Sequence, residues 1–495
     1  MKNIGWDGPV VEKHRRLPVK LSDKVAQNIL YAAPMVASSS LFTPIYIVQG
    51  IYAKHYGLAL TTIASVILFV RLFDAITDPI IGYLSDKSRI KRKTRKPAII
   101  LGAIVLVISG YFLYSPPHDV GVLYFTFWFM VFYLGFTLFQ IPHLAWGGEI
   151  SHGTHEKTQT YTLRTIAGYM GVGMFYSIPL LPIWETSEIN PDTLEFSAIV
   201  SGLLMLPLLY LCLRRVPDGS CYIEEKSSVD NPGQNTIVEI RSTIKNVIHN
   251  KPMFIFFGAF LFAGGGLGMW IGLYFIYVDA YLGMGDVYAE ITLMAVVAGI
   301  PGAFIVLKIA KGLGKKPAWL MTMLLAVAAF LYSGFLSPSN TGYWSLMILL
   351  IAITLSFICV ESLPQSMLSD IVDYSTWKFR TNRGSTYFAL YMFIYKAALA
   401  VGGALGLAIA GWYGFDPTST AQTESGITGL KLAMTWVPIL LVVISMIFIV
   451  LSPITARRHG IIRRRLEAIE ARSKAEDGKP QALGQDATET LLTTY

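Results

Sequence analysis

The sequence predicts an all-α integral membrane protein, and two observations carry this prediction. Of the 495 residues, 53% are hydrophobic and only 15% are charged, a balance that a soluble enzyme of this length would not need. The apolar residues also gather into runs of roughly twenty, each long enough to cross about 30 Å of hydrocarbon as a helix. Helices are expected because only they and closed barrels satisfy every backbone group inside a bilayer.

Twelve such runs follow one another along the chain, and we expect each to form a transmembrane helix. The longest polar interruption separates six runs from six, which predicts two bundles in a 6+6 pseudo-repeat. The predicted spans are residues 26–50, 60–84, 97–114, 121–147, 161–183, 196–214, 252–278, 288–308, 317–337, 343–368, 387–411 and 430–453.

The distribution of basic residues predicts how these spans are oriented. Lysine and arginine concentrate in alternate connections and after the last span, whereas the opposite loops hold almost none, with Lys54 as the main exception. We expect the protein to lie in the inner membrane of the cell. By the positive-inside rule, both of its termini then face the cytoplasm. Topology thereby accounts for the net charge of +8, and we expect no nucleic-acid partner.

The expected organisation has five parts. No cleavable signal peptide is expected, because the first 24 residues are polar and basic. The parts are a cytoplasmic tail at 1–25, a first bundle at 26–214, a cytoplasmic linker with an amphipathic helix at 215–251, a second bundle at 252–453 and a cytoplasmic tail at 454–495.

The two predicted bundles echo each other in sequence. The loop after the second span of each bundle ends in a lysine followed by a proline, Lys96-Pro97 in the first and Lys316-Pro317 in the second. Two such halves joined by a cytoplasmic linker resemble the major-facilitator carriers, in which a solute lies between two rocking bundles near the bilayer midplane.

Motifs that would indicate an enzyme are missing from the sequence. The chain contains no Walker loop, HExxH motif or nucleophile elbow. The glycine-rich stretch at 263–270 lies inside a predicted span with no strand before it, so it does not indicate a nucleotide site. The three cysteines have no metal or redox spacing. We therefore expect neither enzymatic activity nor a cofactor.

Two carboxylates within the second span are the strongest functional signal. Asp74 and Asp78 lie one turn apart on the same helical face, at a depth where each charge costs roughly 2.5–3.5 kcal/mol. They would repel unless a cation lies between them or one is protonated. The pair predicts a coupling site for Na⁺ or H⁺, to which the carbonyl of Ala75, freed by Pro79, would add an oxygen. In the alternative, Arg71 neutralises Asp74 and Asp78 faces cytoplasmic water.

Two basic residues within predicted spans are further candidates. Lys396 lies about nine residues into the eleventh span, too deep to reach the cytoplasmic surface easily. Its partner is open between Glu361 in the tenth span, the aspartate pair and a substrate oxygen. Arg164, near the start of the fifth span, either clamps substrate hydroxyls or a carboxylate, or braces a cytoplasmic gate against Glu149 or Asp373.

Three stretches of the sequence carry a family resemblance that runs over nearly the whole chain. They are RLFDAITDPIIGYLSD, QIPHLAWGGEI and SDIVDYSTWKFRTNRGSTYFALYMFIYKAALAVGG. They resemble the glycoside-pentoside-hexuronide:cation symporters, the family of melibiose permease within the major facilitator superfamily. The resemblance implies that Asp74 and Asp78 hold the coupling cation, as metal ligands if it is Na⁺, with Thr77 beside them. It also implies that Thr137 in the fourth span is an oxygen ligand.

The resemblance also bears on the substrate. It implies substrate contact by Arg164 and a coupling or substrate role for Lys396. Three positions depart from melibiose permease: Gln140 replaces an aspartate of the cation and sugar site, Ser38 a sugar-facing aspartate and Glu361 a tryptophan. These three remain candidate substrate residues, Gln140 also next to the cation, but a galactoside site is not preserved. A buried Glu361 would itself suit a proton carrier.

These observations favour a monomeric carrier in the lipid bilayer that couples a small sugar-type solute to Na⁺ or H⁺. The cation favours binding of a sugar, glycoside or uronide between the halves, and the loaded carrier then rocks inward. One alternative is a lysolipid carrier, which would show a lateral opening and an apolar cavity. Another is a membrane sensor without transport, which would be expected to carry a sizeable soluble domain.

Overall fold

The structure, a computed structural model, describes most of the chain. Predictions for the amphipathic linker helix and for most of both tails lie outside the described residues, as do the side chains of some helical residues, Glu361 among them. The described residues are 21–92, 94–150, 154–218, 250–379, 384–419 and 421–453, with 458, 460–462, 464 and 465.

All regular structure in this described part is helical, as the sequence predicts. Short π-helical turns at Tyr277–Tyr281 and Leu432–Trp436 follow the ninth and fourteenth helices. The helices are α1 Leu21–Ala32, α2 Pro34–Phe42, α3 Val48–Tyr56, α4 Leu60–Arg92, α5 Lys96–Tyr114, α6 Val122–Ile150, α7 Thr154–Ser177, α8 Pro191–Arg215, α9 Lys251–Ile276, α10 Gly285–Leu313, α11 Lys315–Phe335, α12 Tyr343–Phe379, α13 Gly384–Trp412, α14 Glu424–Lys431 and α15 Val437–Leu451.

Helices occupy the position of every predicted span. Not all of them are both long enough and apolar enough, in their described residues, to be identified as membrane-spanning. Nine helical stretches among the described residues are long and apolar enough to cross a membrane. The predicted fifth span corresponds to α7, which begins with polar residues. In α12 the apolar stretch among the described residues is Tyr343–Ser356. The all-α membrane fold is thus confirmed, whereas the number of twelve crossings stays a prediction.

The first predicted span, residues 26–50, is divided into several short segments. It contains the end of α1, all of α2, a 3-10 turn at Thr43–Tyr46 and the start of α3. Pro34 and Pro44 each stand near the start of a new segment, because proline has no N–H to continue the preceding hydrogen-bond ladder. The sequence prediction treated this span as one run and did not use these prolines.

Along the chain the helices fall into two groups, α1 to α8 and α9 to α15, which contact each other between α4 and α13 and near the end of the molecule away from the basic loops. Gln49 at the start of α3 donates a hydrogen bond of 2.6 Å to the carbonyl of Gly272 in α9. The rings of Tyr176 in α7 and Tyr288 in α10 lie 6.3 Å apart at the same end. This end of the interface is therefore closed by direct contact between the groups.

At the opposite end, close to the basic loops, the ion pairs of the described residues stay within one group. Arg95 donates to Glu149 at 2.8 Å within the first group. Lys315 contacts Asp370 at 2.8 Å within the second group. Each of these two pairs therefore connects helices within one group.

Gly411 in α13 lies where the closed end brings α13 against the start of α4. A Cβ atom at Gly411 would lie 2.9 Å from Thr61 Cγ2 and 3.1 Å from the Thr61 backbone nitrogen. Overpacking of this kind destabilises a structure by about 1–3 kcal/mol. A larger side chain at Gly411 would destabilise only the conformation in which this end is closed. In the predicted topology the end away from the basic loops faces outside, and we call it the outer end. We expect Gly411→Leu to open this end and to increase labelling of a single cysteine introduced at Tyr46 by an impermeant maleimide added outside.

The matched control for this prediction is Gly82→Leu, because nothing lies within 4 Å of a Cβ atom at Gly82. Labelling in the control should equal that of the parent protein. Equal labelling in Gly411→Leu as well would show that this contact does not close the outer end.

Candidate functional site

A cluster of three charged side chains joins the two groups of helices where α4 packs against α13. The Lys396 ammonium forms an ion pair with Asp78 and lies 3.9 Å from Asp74 Oδ2. The spacing of four residues places both carboxylates on the α4 face that meets α13. Of the partners left open by the sequence, the structure places Lys396 against the aspartate pair, so that its ammonium supplies the positive charge the two carboxylates require.

Asp74 is the more buried of the two acids. Its side chain is 6% exposed, against 20% for Asp78. Thr137 in α6 donates a hydrogen bond of 3.1 Å to Asp74 Oδ1, leaving Oδ2 toward Lys396. A hydroxyl, two carboxylates and an ammonium are thus brought together from three helices. Thr137 stands where the resemblance implies an oxygen ligand.

Asp78 retains bonding capacity that the cluster does not use. Its Oδ1 atom is buried and has no hydrogen-bond partner among the described residues. Pro79 follows it inside α4, so the carbonyl of Ala75 lacks the usual helical donor. Hard cations such as Na⁺ favour oxygen ligands of this kind. By contrast, the hydroxyl of Thr77 donates to the backbone carbonyl of Asp74 at 3.2 Å, which holds it along its own helix.

A central cavity of about 540 Å³ opens between the two groups of helices next to this cluster. That volume lies in the range of small-molecule sites, which are about 300–1,000 Å³. Asp74 and Lys396 line it, and so does Gln140, one of the predicted substrate residues. Tyr133 and Phe136 add aromatic surface. Such a cavity offers rings for the apolar faces of a solute and polar groups for its hydroxyls.

A second cavity lies on the other side of the same cluster. It measures about 360 Å³ and is lined by α4 and α13, with Arg71, Asp74, Asp78 and Lys396 among its lining residues. Leu72 and Phe393 on its walls are 61% and 52% exposed, so this lateral cleft faces the surface that contacts lipid. The charged cluster therefore borders both the central cavity and the lateral cleft.

Two other predicted site residues, Arg164 and Ser38, are not among the residues that line the central cavity. Arg164 in α7 points its Nε atom at His143 Nδ1, 3.5 Å away, and its Nη2 atom is buried without a hydrogen-bond partner among the described residues. The side chain of Ser38 in α2 is fully buried, also without a described partner for its hydroxyl. Glu361 falls on a side chain outside the described residues. The substrate roles of these residues stay predictions.

The sequence prediction missed a second charged cluster, at the closed end. Lys54 in α3 contacts Glu188 Oε1 at 2.7 Å and Asp279 Oδ2 at 2.8 Å. Lys54 and Glu188 belong to the first group of helices, and Asp279 to the second. The Asp279 side chain is only 3% exposed, so its charge depends on Lys54. The one sequence signal was Lys54 itself, the basic residue in an otherwise acidic set of loops.

We call this second cluster, formed by Lys54, Glu188 and Asp279, the outer cluster. Lys54 and Glu188, which lie outside the predicted spans, stay ionised at neutral pH. Burial acts to lower the pKa of Lys54, but hydrogen bonds to Asp279 and Glu188 outweigh it and raise this pKa above its ordinary value. Burial acts to raise the pKa of Glu188, but the hydrogen bond from Lys54 holds this pKa below its ordinary value. The ion pair between them is therefore intact across the physiological pH range.

The known proteins that this chain resembles are transporters. Residues 29–456 match the family described as MFS/sugar transport protein. The chain is 24% identical over 415 residues to the uncharacterized symporter YjmB of Bacillus subtilis, covering 82% of this chain and 87% of that one. It is 23% identical over 465 residues to sodium-dependent lysophosphatidylcholine symporter 1-A of Danio rerio, covering 86% and 85%. The crystal structure of nucleoside transporter NupG has the same fold, with a TM-score of 0.62 at 12% identity and coverage of 88% and 100%.

Proposed function

Because the chain belongs to the MFS/sugar transport protein family, we propose that it carries a sugar, glycoside or uronide in symport with Na⁺ or H⁺ by alternating access. The observation that carries this proposal is the charged cluster of Asp74, Asp78 and Lys396 on the wall of a central cavity between the two groups of helices. Coupling needs the cation and the solute to meet at such a place. The other predicted site residues remain candidates for contact with the solute or the cation: Ser38, Thr77, Thr137, Gln140, Arg164 and Glu361.

The conformation supports the alternating-access part of this proposal. The two groups touch at the end away from the basic loops, whereas the pairs Arg95–Glu149 and Lys315–Asp370 near those loops each lie within one group. With the basic loops in the cytoplasm, this arrangement is inward-facing. Rocking would then break the outer contacts and form new ones at the cytoplasmic end. The proposed topology has both termini in the cytoplasm and bundles at 26–214 and 252–453 around the linker 215–251.

Lys396 is the proposed link between the cation and the solute. In this structure its ammonium lies between Asp74 and Asp78, where it takes the place of a coupling cation. A Na⁺ ion or a proton that binds the carboxylates would release the ammonium toward the central cavity, where it can donate to oxygen atoms of the solute. Cation binding would thereby strengthen solute binding, and the solute would strengthen cation binding by the same factor.

Removing Lys396 should separate these two effects. We expect Lys396→Ala to raise the affinity for the coupling cation about tenfold or more, because a competing charge a few ångströms away is lost. Coupling to the solute should be lost at the same time. The affinity is measured by calorimetric titration with NaCl or, for a proton, from the pH dependence of solute binding. Lys396→Arg is the control, since it keeps the charge, and an unchanged affinity in the alanine variant would rule out competition by this lysine.

A lysolipid carrier is the second candidate, and the lateral cleft is the observation that favours it. The cleft between α4 and α13 is walled by apolar side chains such as Leu72 and Phe393 and has the charged cluster among its lining residues. An acyl chain would fit such walls while a polar head lay near the cluster. The central cavity, with Gln140 and Tyr133 among its lining residues, nevertheless suits a compact polar solute better.

Counterflow in proteoliposomes distinguishes the two candidates. Vesicles containing the purified protein are loaded with one unlabelled compound from a panel of neutral sugars, glycosides, uronides and lysophospholipids, and uptake of the labelled compound is followed with Na⁺ and pH varied separately. The proposal predicts accelerated exchange of a sugar-type compound that depends on one of the two cations. Exchange of lysophospholipids alone would favour the second candidate, and exchange of no compound would overturn both.

A further inference from the structure

Arg71 is a charged residue of the central cavity to which the proposed cation coupling assigns no part. It lies on α4 one turn before Asp74 and lines the cavity. Its guanidinium carbon lies 4.4 Å from the centre of the Tyr133 ring, and its Nε atom is buried without a hydrogen-bond partner among the described residues. The ion pair and the side-chain hydrogen bond that the structure describes for Asp74 go to Lys396 and Thr137. The charge of Arg71 acts on Asp74 from a greater distance.

The charges around the cavity indicate that the Arg71 guanidinium could bind an anionic group. Asp74 and Asp78 contribute two negative charges, and Lys396 and Arg71 contribute two positive charges. Among the described side chains that line the two cavities, the charges are therefore balanced before any coupling cation binds. A bound cation leaves one positive charge in excess, which is unfavourable in a site of low dielectric constant. An anionic group on the solute would restore the balance in the loaded carrier.

The position of Arg71 suits such a group. A guanidinium presents several N–H donors in one plane, which match the two oxygens of a carboxylate. Stacking on Tyr133 fixes the plane of the guanidinium and stabilises its charge. An arginine held in this way loses little further freedom when it binds an anion. Gln140, on the same cavity wall, has an amide that can bind sugar hydroxyls.

We propose that Arg71 binds a carboxylate on the transported solute and that the chain therefore selects uronides over neutral sugars. This inference rests on the proposed function, because it names the class of solute within sugar symport. Arg71 is then the residue that sets specificity, while Asp74, Asp78 and Lys396 couple the cation.

The test compares two solutes that differ only in the acidic group, methyl β-glucuronide and methyl β-glucoside. Counterflow of each is measured in proteoliposomes with the parent protein, Arg71→Gln, Arg71→Lys and the control Arg215→Gln, an exposed arginine at the end of α8. The parent protein should exchange the glucuronide at least about tenfold faster. Arg71→Gln should lower glucuronide exchange about 10- to 100-fold, the range expected for losing hydrogen bonds to a charged group. Its glucoside exchange should change little.

Arg71→Lys should fall between the parent and Arg71→Gln, because a lysine keeps the charge but not the paired donors, and Arg215→Gln should match the parent. A parent protein that exchanges the glucoside faster, or a glutamine variant that loses both exchanges equally, would overturn the role of Arg71 while leaving sugar symport standing. If the parent protein exchanges neither these glycosides nor any other sugar, the proposed function fails and this inference with it.

Discussion

Asp78→Asn should reduce cation-driven uptake about 100-fold, the upper part of the 10- to 100-fold range seen when a metal site is disturbed. The amide carries no charge, so Lys396 would be left with Asp74 as its sole acidic partner in the cluster. These two side chains are already 3.9 Å apart and would close into a fixed ion pair. Neither carboxylate of the cluster would then remain for the coupling cation. Initial uptake rates in proteoliposomes, with an imposed Na⁺ or pH gradient, measure the effect.

Two variants control this experiment. Asp119→Asn replaces an exposed acid in a loop and should leave uptake unchanged. Asp78→Glu keeps the charge and should keep part of the uptake. If Asp78→Asn inserted normally and took up solute at the parent rate under the same gradient, the cation would not bind at this carboxylate.

Lys54→Ala should shift the carrier from the inward-facing to the outward-facing conformation. The substitution leaves Asp279, whose side chain is 3% exposed, without its cationic partner while the outer end is closed. Breaking a buried ion pair in this way costs about 3–5 kcal/mol, at least a hundredfold in population. Opening the outer end exposes the carboxylate to water and relieves that cost. Labelling of a cysteine at Tyr46 by an impermeant maleimide added outside should therefore rise strongly.

Reversing the charges tests the pairing itself. Lys54→Asp combined with Asp279→Lys restores opposite charges across the interface and should lower the outside labelling again. Lys431→Ala is a control, because Lys431 stacks on Tyr281 within the second group of helices. Equal labelling in Lys54→Ala and the parent protein would show that the outer cluster does not hold the two groups together.

The coupling cluster could be predicted from sequence because it rests on local spacing. Asp74 and Asp78 are four residues apart on one helix, and acids inside an apolar run are rare enough to stand out. The position of Lys396 within its span limited its partners to a few groups, one of which the structure selects. Thr137 was predicted as a site residue from the family resemblance, and in the structure its hydroxyl donates a hydrogen bond to Asp74.

The outer cluster could not be predicted in this way. Lys54 is 134 residues from Glu188 and 225 residues from Asp279, and no periodicity relates positions so far apart. Tertiary packing brings Lys54 in α3 beside Glu188 in the connection before α8 and beside Asp279 in the turn after α9. The same limit applies to Arg164 and Ser38, since a resemblance transfers the identity of a residue but not its contacts in one conformation. Spacing offered Asp74 as an alternative partner for Arg71, and it could not show that Arg71 lies over the ring of Tyr133.

The most direct test is a calorimetric titration of the purified protein with a solute found by counterflow, with and without the coupling cation. If solute and cation meet at the cluster, each should raise the affinity for the other by one common factor, and that factor should fall to one in Asp78→Asn. A solute affinity that is the same at every Na⁺ concentration and every pH in the parent protein would contradict the account.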